Sequence, residues 1–143
     1  MKILLDTSVL IEYIKGSRTK LLESLINNEK NKLYINDIVY SEFMFHFLSV
    51  ISGKSPFTLK KKNEISNLLL KYDPIEFLEN FIIVPISEET IKLSYEYMKK
   101  YNLLPNDSLI LATCKIQELD AIASFDSDFV EVVKREDLML ITD

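Results

Sequence analysis

Short apolar runs of strand length alternate with longer segments of helical period along the whole chain, and this alternation narrows the possible folds more than any other feature. It reads as an α/β fold with a mainly parallel central sheet flanked by helices in three layers. Lys2 to Leu5 is the first buried strand, and Leu33 to Ile35, Phe81 to Ile86, Asp120 to Ser124 and Leu138 to Ile141 are the others. Helices are expected over Thr7 to Lys15, Thr19 to Glu29, Ile38 to Ile51, Leu59 to Tyr72, Ser87 to Tyr101 and Pro105 to Ile116. Asn36-Asp37 and Ser87 supply N-terminal caps, and Gly16 ends the first helix. Ser52 to Thr58, with Gly53 and Pro56, reads as a loop. No repeat or low-complexity tract interrupts the pattern, so residues 1–143 are expected to form one domain.

With 143 residues and 48% apolar side chains, the chain can bury a core without disulfide or metal staples. The single cysteine, Cys114, leaves no intramolecular disulfide and fits a reducing compartment. The apolar run Ile3-Leu4-Leu5 is too short for a signal peptide or a membrane span, so the expectation is a soluble, cytoplasmic protein. A net charge of −5 argues against coating nucleic acid by charge alone. It does not exclude an enzyme acting on nucleic acid, because clustered carboxylates with a bound cation also make a sequence acidic. One histidine, His46, nearly excludes a zinc site of Cys and His ligands. Any metal site must use oxygen donors, which points to Mg²⁺ or Mn²⁺.

Four acids stand where such a site would form. In a parallel α/β sheet, ligands bind beyond the carboxyl ends of the strands. Asp6 follows the first strand, and Asp126 follows Ala121 to Ala123. Either could instead be an ordinary loop or capping aspartate. Glu42 is the only formally charged residue between Ile38 and Ile51, a segment so apolar that burial on most faces is expected. A carboxylate there needs a cation, a basic partner or a solvated cleft. Asp107 sits in the first turn of the helix running through Ser108 to Cys114, a position the helix dipole alone would favour. Carboxylates gathered together repel unless a cation lies between them. A divalent ion there can lower the pKa of a water molecule and polarise a phosphoryl oxygen, which is phosphodiester hydrolysis without a protein nucleophile.

Other readings fit less well. A haloacid-dehalogenase-type phosphatase also begins with a strand-end Asp, but the second acid it wants two residues later is Ser8 here. A receiver domain wants paired acids after the first strand and a late Lys-Pro, and neither is present. An EF-hand starting at Asp126 fails, because Val130 and Val132 occupy ligand positions.

The motifs LLDTSVLIEYI, SEF, NDSLILATC and IASFDSDF, in that order, resemble the four motifs of PIN-domain proteins. The resemblance covers essentially the whole chain and is specifically to the VapC-like toxin ribonucleases of type II toxin–antitoxin pairs. It implies that Asp6, Glu42, Asp107 and Asp126 hold one or two Mg²⁺ or Mn²⁺ ions that activate water for attack on an RNA phosphodiester. Asp128 would be an accessory acid, as a ligand or only as a cap. Thr7 or Ser8 would orient the first acid. Ser124 stands where the family often has threonine and keeps the hydroxyl. The resemblance also implies a homodimer and an antitoxin partner. An RNA maturation or decay nuclease and a non-catalytic binding module on the same fold remain as alternatives, although the presence of all four acids disfavours the latter.

Weaker features complete the reading. The basic groups Lys60-Lys61-Lys62, Lys15 with Arg18 and Lys20, Lys99-Lys100, and Lys134-Arg135 are placed to meet RNA phosphates or, more commonly, to form solvated helix faces. His46 lies one helical turn after Glu42 and is either a neighbour of the site or part of a packed core or dimer interface.

Overall fold

The computed structural model describes residues 1–143 and forms a five-stranded sheet in the order β3-β2-β1-β4-β5, with every pairing parallel. The strands are β1 (Lys2–Leu5), β2 (Lys32–Asn36), β3 (Ile82–Val84), β4 (Ala121–Ala123) and β5 (Met139–Ile141). Helices flank the sheet, and the central strands β1 and β4 are buried nearly throughout, as parallel strands covered on both faces must be. The strand order reverses between β1 and β4. A crevice therefore opens past their carboxyl ends, and this is where open α/β sheets bind ligands.

The helices that border this crevice start where the sequence indicates. Helix α1 (Thr7–Ile14) begins directly after Asp6, and α2 (Lys20–Ile26) packs Leu21, Leu22 and Leu25 inward while Ile26 stays exposed. Helix α3 (Asp37–Ser52) is capped by Asn36, whose Oδ1 accepts from the Val39 N–H at 2.9 Å. The Asn36 side chain is fully buried, and its Nδ2 donates to Thr113 Oγ1 at 2.9 Å, tying α3 to α8 (Pro105–Ile116). Replacing Asn36 with Ala removes a cap and leaves Thr113 without this partner. We expect a loss of about 2–3 kcal/mol in chemical denaturation, with an unchanged slope. Gly53 ends α3 at a φ of +70°, a conformation glycine adopts without strain.

Three parts differ from the sequence reading. The segment Leu59 to Tyr72 is not one helix but two, α4 (Pro56–Lys61) and α5 (Ile65–Lys71), and α4 begins inside the expected loop. Ser55 caps α4 and Pro56 opens it, while Asn63 at a φ of +54° breaks the chain between the two. The run Lys60 to Glu64 carries no apolar residue that could hold a continuous helix against the core. The short helix α6 (Ile75–Leu78) and the helix α9 (Phe129–Arg135) were not anticipated. Buried Phe129, Val132 and Val133, at i, i+3 and i+4, are the signal that would have found α9. Finally, α3 is not buried on most faces. Val39, Phe43 and Phe47 are buried, but Tyr40 and Phe45 are exposed. Helix α7 (Glu88–Tyr101) carries the expected Ser87 cap, closed as a capping box with Thr90, and α8 packs beside it.

Candidate metal centre

A cleft of about 290 Å³ lies at the switch between β1 and β4 and is lined by Asp6, Glu42, Asp107 and Asp126 together with Thr7, Ser8, Ile11, Lys15 and His46. All four acids singled out in the sequence are thus brought to one place. A larger depression of about 860 Å³ runs along α7 beside Ile91, Leu93, Tyr95 and Ile116, with Glu89, Lys92 and Glu96 at its border, and it contains none of the four acids.

Asp6 is the most buried of the acids, at 6% exposure, because it leaves β1 while its N–H still bonds the Ala123 carbonyl at 2.9 Å. Its Oδ2 accepts from Ser8 Oγ at 2.6 Å and from Ser124 Oγ at 2.7 Å. Each hydroxyl in turn accepts a backbone N–H from the loop after β4. Ser8 takes Phe125 at 3.1 Å, and Ser124 takes Asp126 at 2.9 Å. A hydroxyl that accepts a backbone proton has its own proton free to donate, so both point at the carboxylate. Asp6 Oδ1 receives no hydrogen bond from the protein, yet no buried side-chain oxygen is left unpartnered. That oxygen is therefore accessible from the cleft.

Glu42 is half-buried on α3. Its Oε2 accepts from Thr7 Oγ1 at 2.9 Å, and Oε1 accepts from the Asn106 side-chain amide. A carboxylate in so apolar a helix needs a cation, a basic partner or a solvated cleft. The structure supplies two neutral donors and the cleft. Asn106 thus also belongs to the site, and its place directly before Asp107 in the third motif is the signal for it.

Oxygen atoms of Asp107, Asp126 and Asp128 lie within 4.8 Å of one another. Asp128 is exposed, does not line the cleft itself, and its N–H bonds Asp126 Oδ1 at 2.9 Å. Asp107 and Asp126 are common to the cleft and to this tight trio, so the five carboxylates form two overlapping groups. Burial, followed by the charges of Asp126, Asp6, Asp128 and Glu42, raises the Asp107 carboxyl from its ordinary 3.8 to about 6. None of the five carboxylates is in a salt bridge. Lys15 lines the cleft, but its Nζ pairs with Glu12 at 3.3 Å. An all-oxygen donor set whose negative charge no side chain offsets fits a hard divalent cation and little else.

Several of the remaining basic residues have other partners. Arg18 stacks over the Phe125 ring and pairs with Asp143, while Lys99, Lys100 and Lys134 pair with Glu96, Glu136 and Glu131. His46 is exposed at the rim of the cleft rather than packed in the core. Cys114 is buried and its thiol is pushed up by desolvation, so it offers no nucleophile.

Comparison with known proteins agrees with this geometry. The PIN domain family model matches residues 3–135. Ribonuclease VapC2 of Methanocaldococcus jannaschii is 37% identical over 132 residues, spanning 92% of this chain and 89% of that protein. Ribonuclease VapC6 of the same organism is 35% identical over 144 residues, spanning 91% and 92%. The solved structure of DNA-bound VapBC from Salmonella typhimurium superposes with a TM-score of 0.68 at 16% identity, covering 99% of this chain and 98% of that one, and so shares the fold. The chain belongs to the PIN-domain family and, within it, to the VapC-like group.

Proposed function

We propose that residues 1–143 form one PIN-type catalytic domain that hydrolyses RNA phosphodiester bonds with Mg²⁺ or Mn²⁺, as the toxin of a toxin–antitoxin pair. The observation that carries this reading is the set of five carboxylates at the sheet's switch point, with no cationic side chain paired to any of them. The two curated relatives described above are named as ribonucleases, and the matching Salmonella structure is a VapBC complex. These names support RNA as substrate and an antitoxin as partner.

Asp6, Asp107, Asp126 and Glu42 would hold the ion or ions, with Asp128 beside Asp107 and Asp126 as a further oxygen donor. When bound, a divalent ion supplies Lewis-acid polarisation of the phosphoryl oxygen and makes water a competent nucleophile near neutral pH. The chain's own contribution is to hold the donors still. Ser8 and Ser124 fix the rotamer of Asp6, while Thr7 and Asn106 fix that of Glu42. Burial beside four other acids raises the Asp107 carboxyl to about 6, so positive charge arriving in the cleft would relieve the repulsion there. Exposed Ile91 and Tyr95 on α7 support a homodimer. No helix is long and apolar enough to cross a membrane.

The test is cleavage of total RNA by purified protein with mapping of the cut sites. Cleavage should require Mg²⁺ or Mn²⁺, stop on chelation, and be lost in Asp6→Asn. Equal cleavage by Asp6→Asn, or full activity in excess chelator, would overturn the assignment.

A further inference from the structure

A stripe of exposed aromatic rings leaves the acidic cleft along α3 and continues onto α4. Phe45 and His46 stand three and four residues after Glu42, so all three share one face of α3. His46 lines the cleft itself. The Phe45 ring meets His46 edge-on, with centroids 5.8 Å apart and planes at 87°. Phe45 also meets Phe57 of α4, with centroids 5.9 Å apart and planes at 70°. Phe45 is 44% exposed and Phe57 is 73% exposed, so neither ring is used to fill the core. Lys60 and Lys61 stand three and four residues after Phe57, on the same exposed face of α4. Neither they nor Lys62 is in any ion pair.

We infer that His46, Phe45 and Phe57 form a stacking platform for the unpaired bases of single-stranded RNA flanking the scissile phosphate, with Lys60 and Lys61 on its backbone. The inference rests on the ribonuclease reading above and assigns the side chains that hold that substrate beside the cleft. Two observations favour RNA as the occupant over an apolar peptide. The stripe is continuous with the cleft through His46, and it ends in unpaired lysines, which match a polyanion. Rings offered face or edge to solvent beside a basic run are the means by which proteins hold single-stranded bases without base-edge contacts. In a protein whose net charge is −5, such a local basic end also gives the RNA a direction of approach that avoids the bare acids.

The test compares Phe57→Ala, Phe57→Leu and Phe57→Tyr with the wild type on two substrates in Mn²⁺, a single-stranded RNA oligonucleotide and bis(p-nitrophenyl) phosphate. Binding of fluorescein-labelled RNA to the same variants in an Asp107→Asn background is followed by anisotropy. Phe57→Ala and Phe57→Leu should raise the KM for RNA and weaken RNA binding about tenfold, with kcat and small-diester hydrolysis unchanged, whereas Phe57→Tyr should match the wild type. Replacing Lys60 and Lys61 with Gln should flatten the salt dependence of binding. If Phe57→Leu binds RNA as the wild type does, the stacking role is overturned. If only a protein partner is lost from these variants, the stripe serves that partner instead. If neither substrate is hydrolysed by the wild type, the ribonuclease reading fails, while the anisotropy comparison still decides whether the platform binds RNA.

Discussion

Asp107→Asn is expected to lower RNA cleavage on the order of 10³-fold and, in the same protein, to raise the stability of the metal-free fold. The two effects have one cause. Burial and four neighbouring acids raise the Asp107 carboxyl to about 6, so the folded chain holds a proton there that the unfolded chain, titrating near 3.8, releases earlier. Between these values the native state binds more protons than the unfolded one, and stability therefore falls as pH rises from about 4 to about 6. Above that window the full penalty remains. Asp107 is half-buried, so solvent screening reduces the penalty to about 1–2 kcal/mol. Asparagine has no such charge. In chelator at pH 7 the variant should melt several degrees higher than the wild type, and its melting temperature should vary less between pH 4 and 6. Mn²⁺ should then stabilise the wild type more than the variant. A variant that melts lower than the wild type in chelator at pH 7 would show that the acids are not mutually repelling.

The double replacement Ser8→Ala with Ser124→Ala should be the most damaging hydroxyl deletion in the chain. Each serine donates to the same Asp6 oxygen while accepting a backbone N–H from the β4–α9 loop. Removing both strips Asp6 of its side-chain donors and leaves the N–H groups of Phe125 and Asp126 without these partners. Each unpaired group costs about 1–3 kcal/mol, so a total near 3–4 kcal/mol is expected in denaturant unfolding. Activity should fall about 10- to 100-fold beyond what lost stability explains, because the carboxylate is no longer held in one rotamer. The two serines converge on one atom, so single-variant effects should not add. Ser124→Thr keeps the hydroxyl and should remain active. Full activity in the double alanine variant would mean that Asp6 needs no positioning.

The parts of the fold that were visible in the sequence are those with sharp local chemistry at their ends. Asn36, Ser87 and Pro105 mark the starts of α3, α7 and α8, and the structure begins those helices there or one residue beyond. The break at Asn63 was hidden because Ile65, Leu68 and Leu69 keep a helical period that says nothing about the polar stretch before them. Glu42 illustrates a different limit. Composition shows that α3 is apolar but not which of its faces another element covers. Tyr40 and Phe45 prove to be exposed, and the glutamate is satisfied by Thr7 and Asn106 from two other helices. Such pairings depend on how α1, α3 and α8 converge, and no local pattern encodes that. Asp128 was ambiguous for the same reason, since its nearness to Asp107 arises from segments about twenty residues apart in sequence.

The pairing of Leu5 with Ala123 places Asp6 and Ser124 on adjacent parallel strands, each one residue past the ladder. Neighbouring strands lie about 4.8 Å apart whatever their side chains, so the backbone itself sets the spacing of the innermost donors. The arm formed by α4 and α5 lies outside that ladder. Its length, charge and aromatic content can change without moving the ladder's end. One scaffold can thus keep a fixed cluster of carboxylates while the exposed residues of α4 and α5 vary.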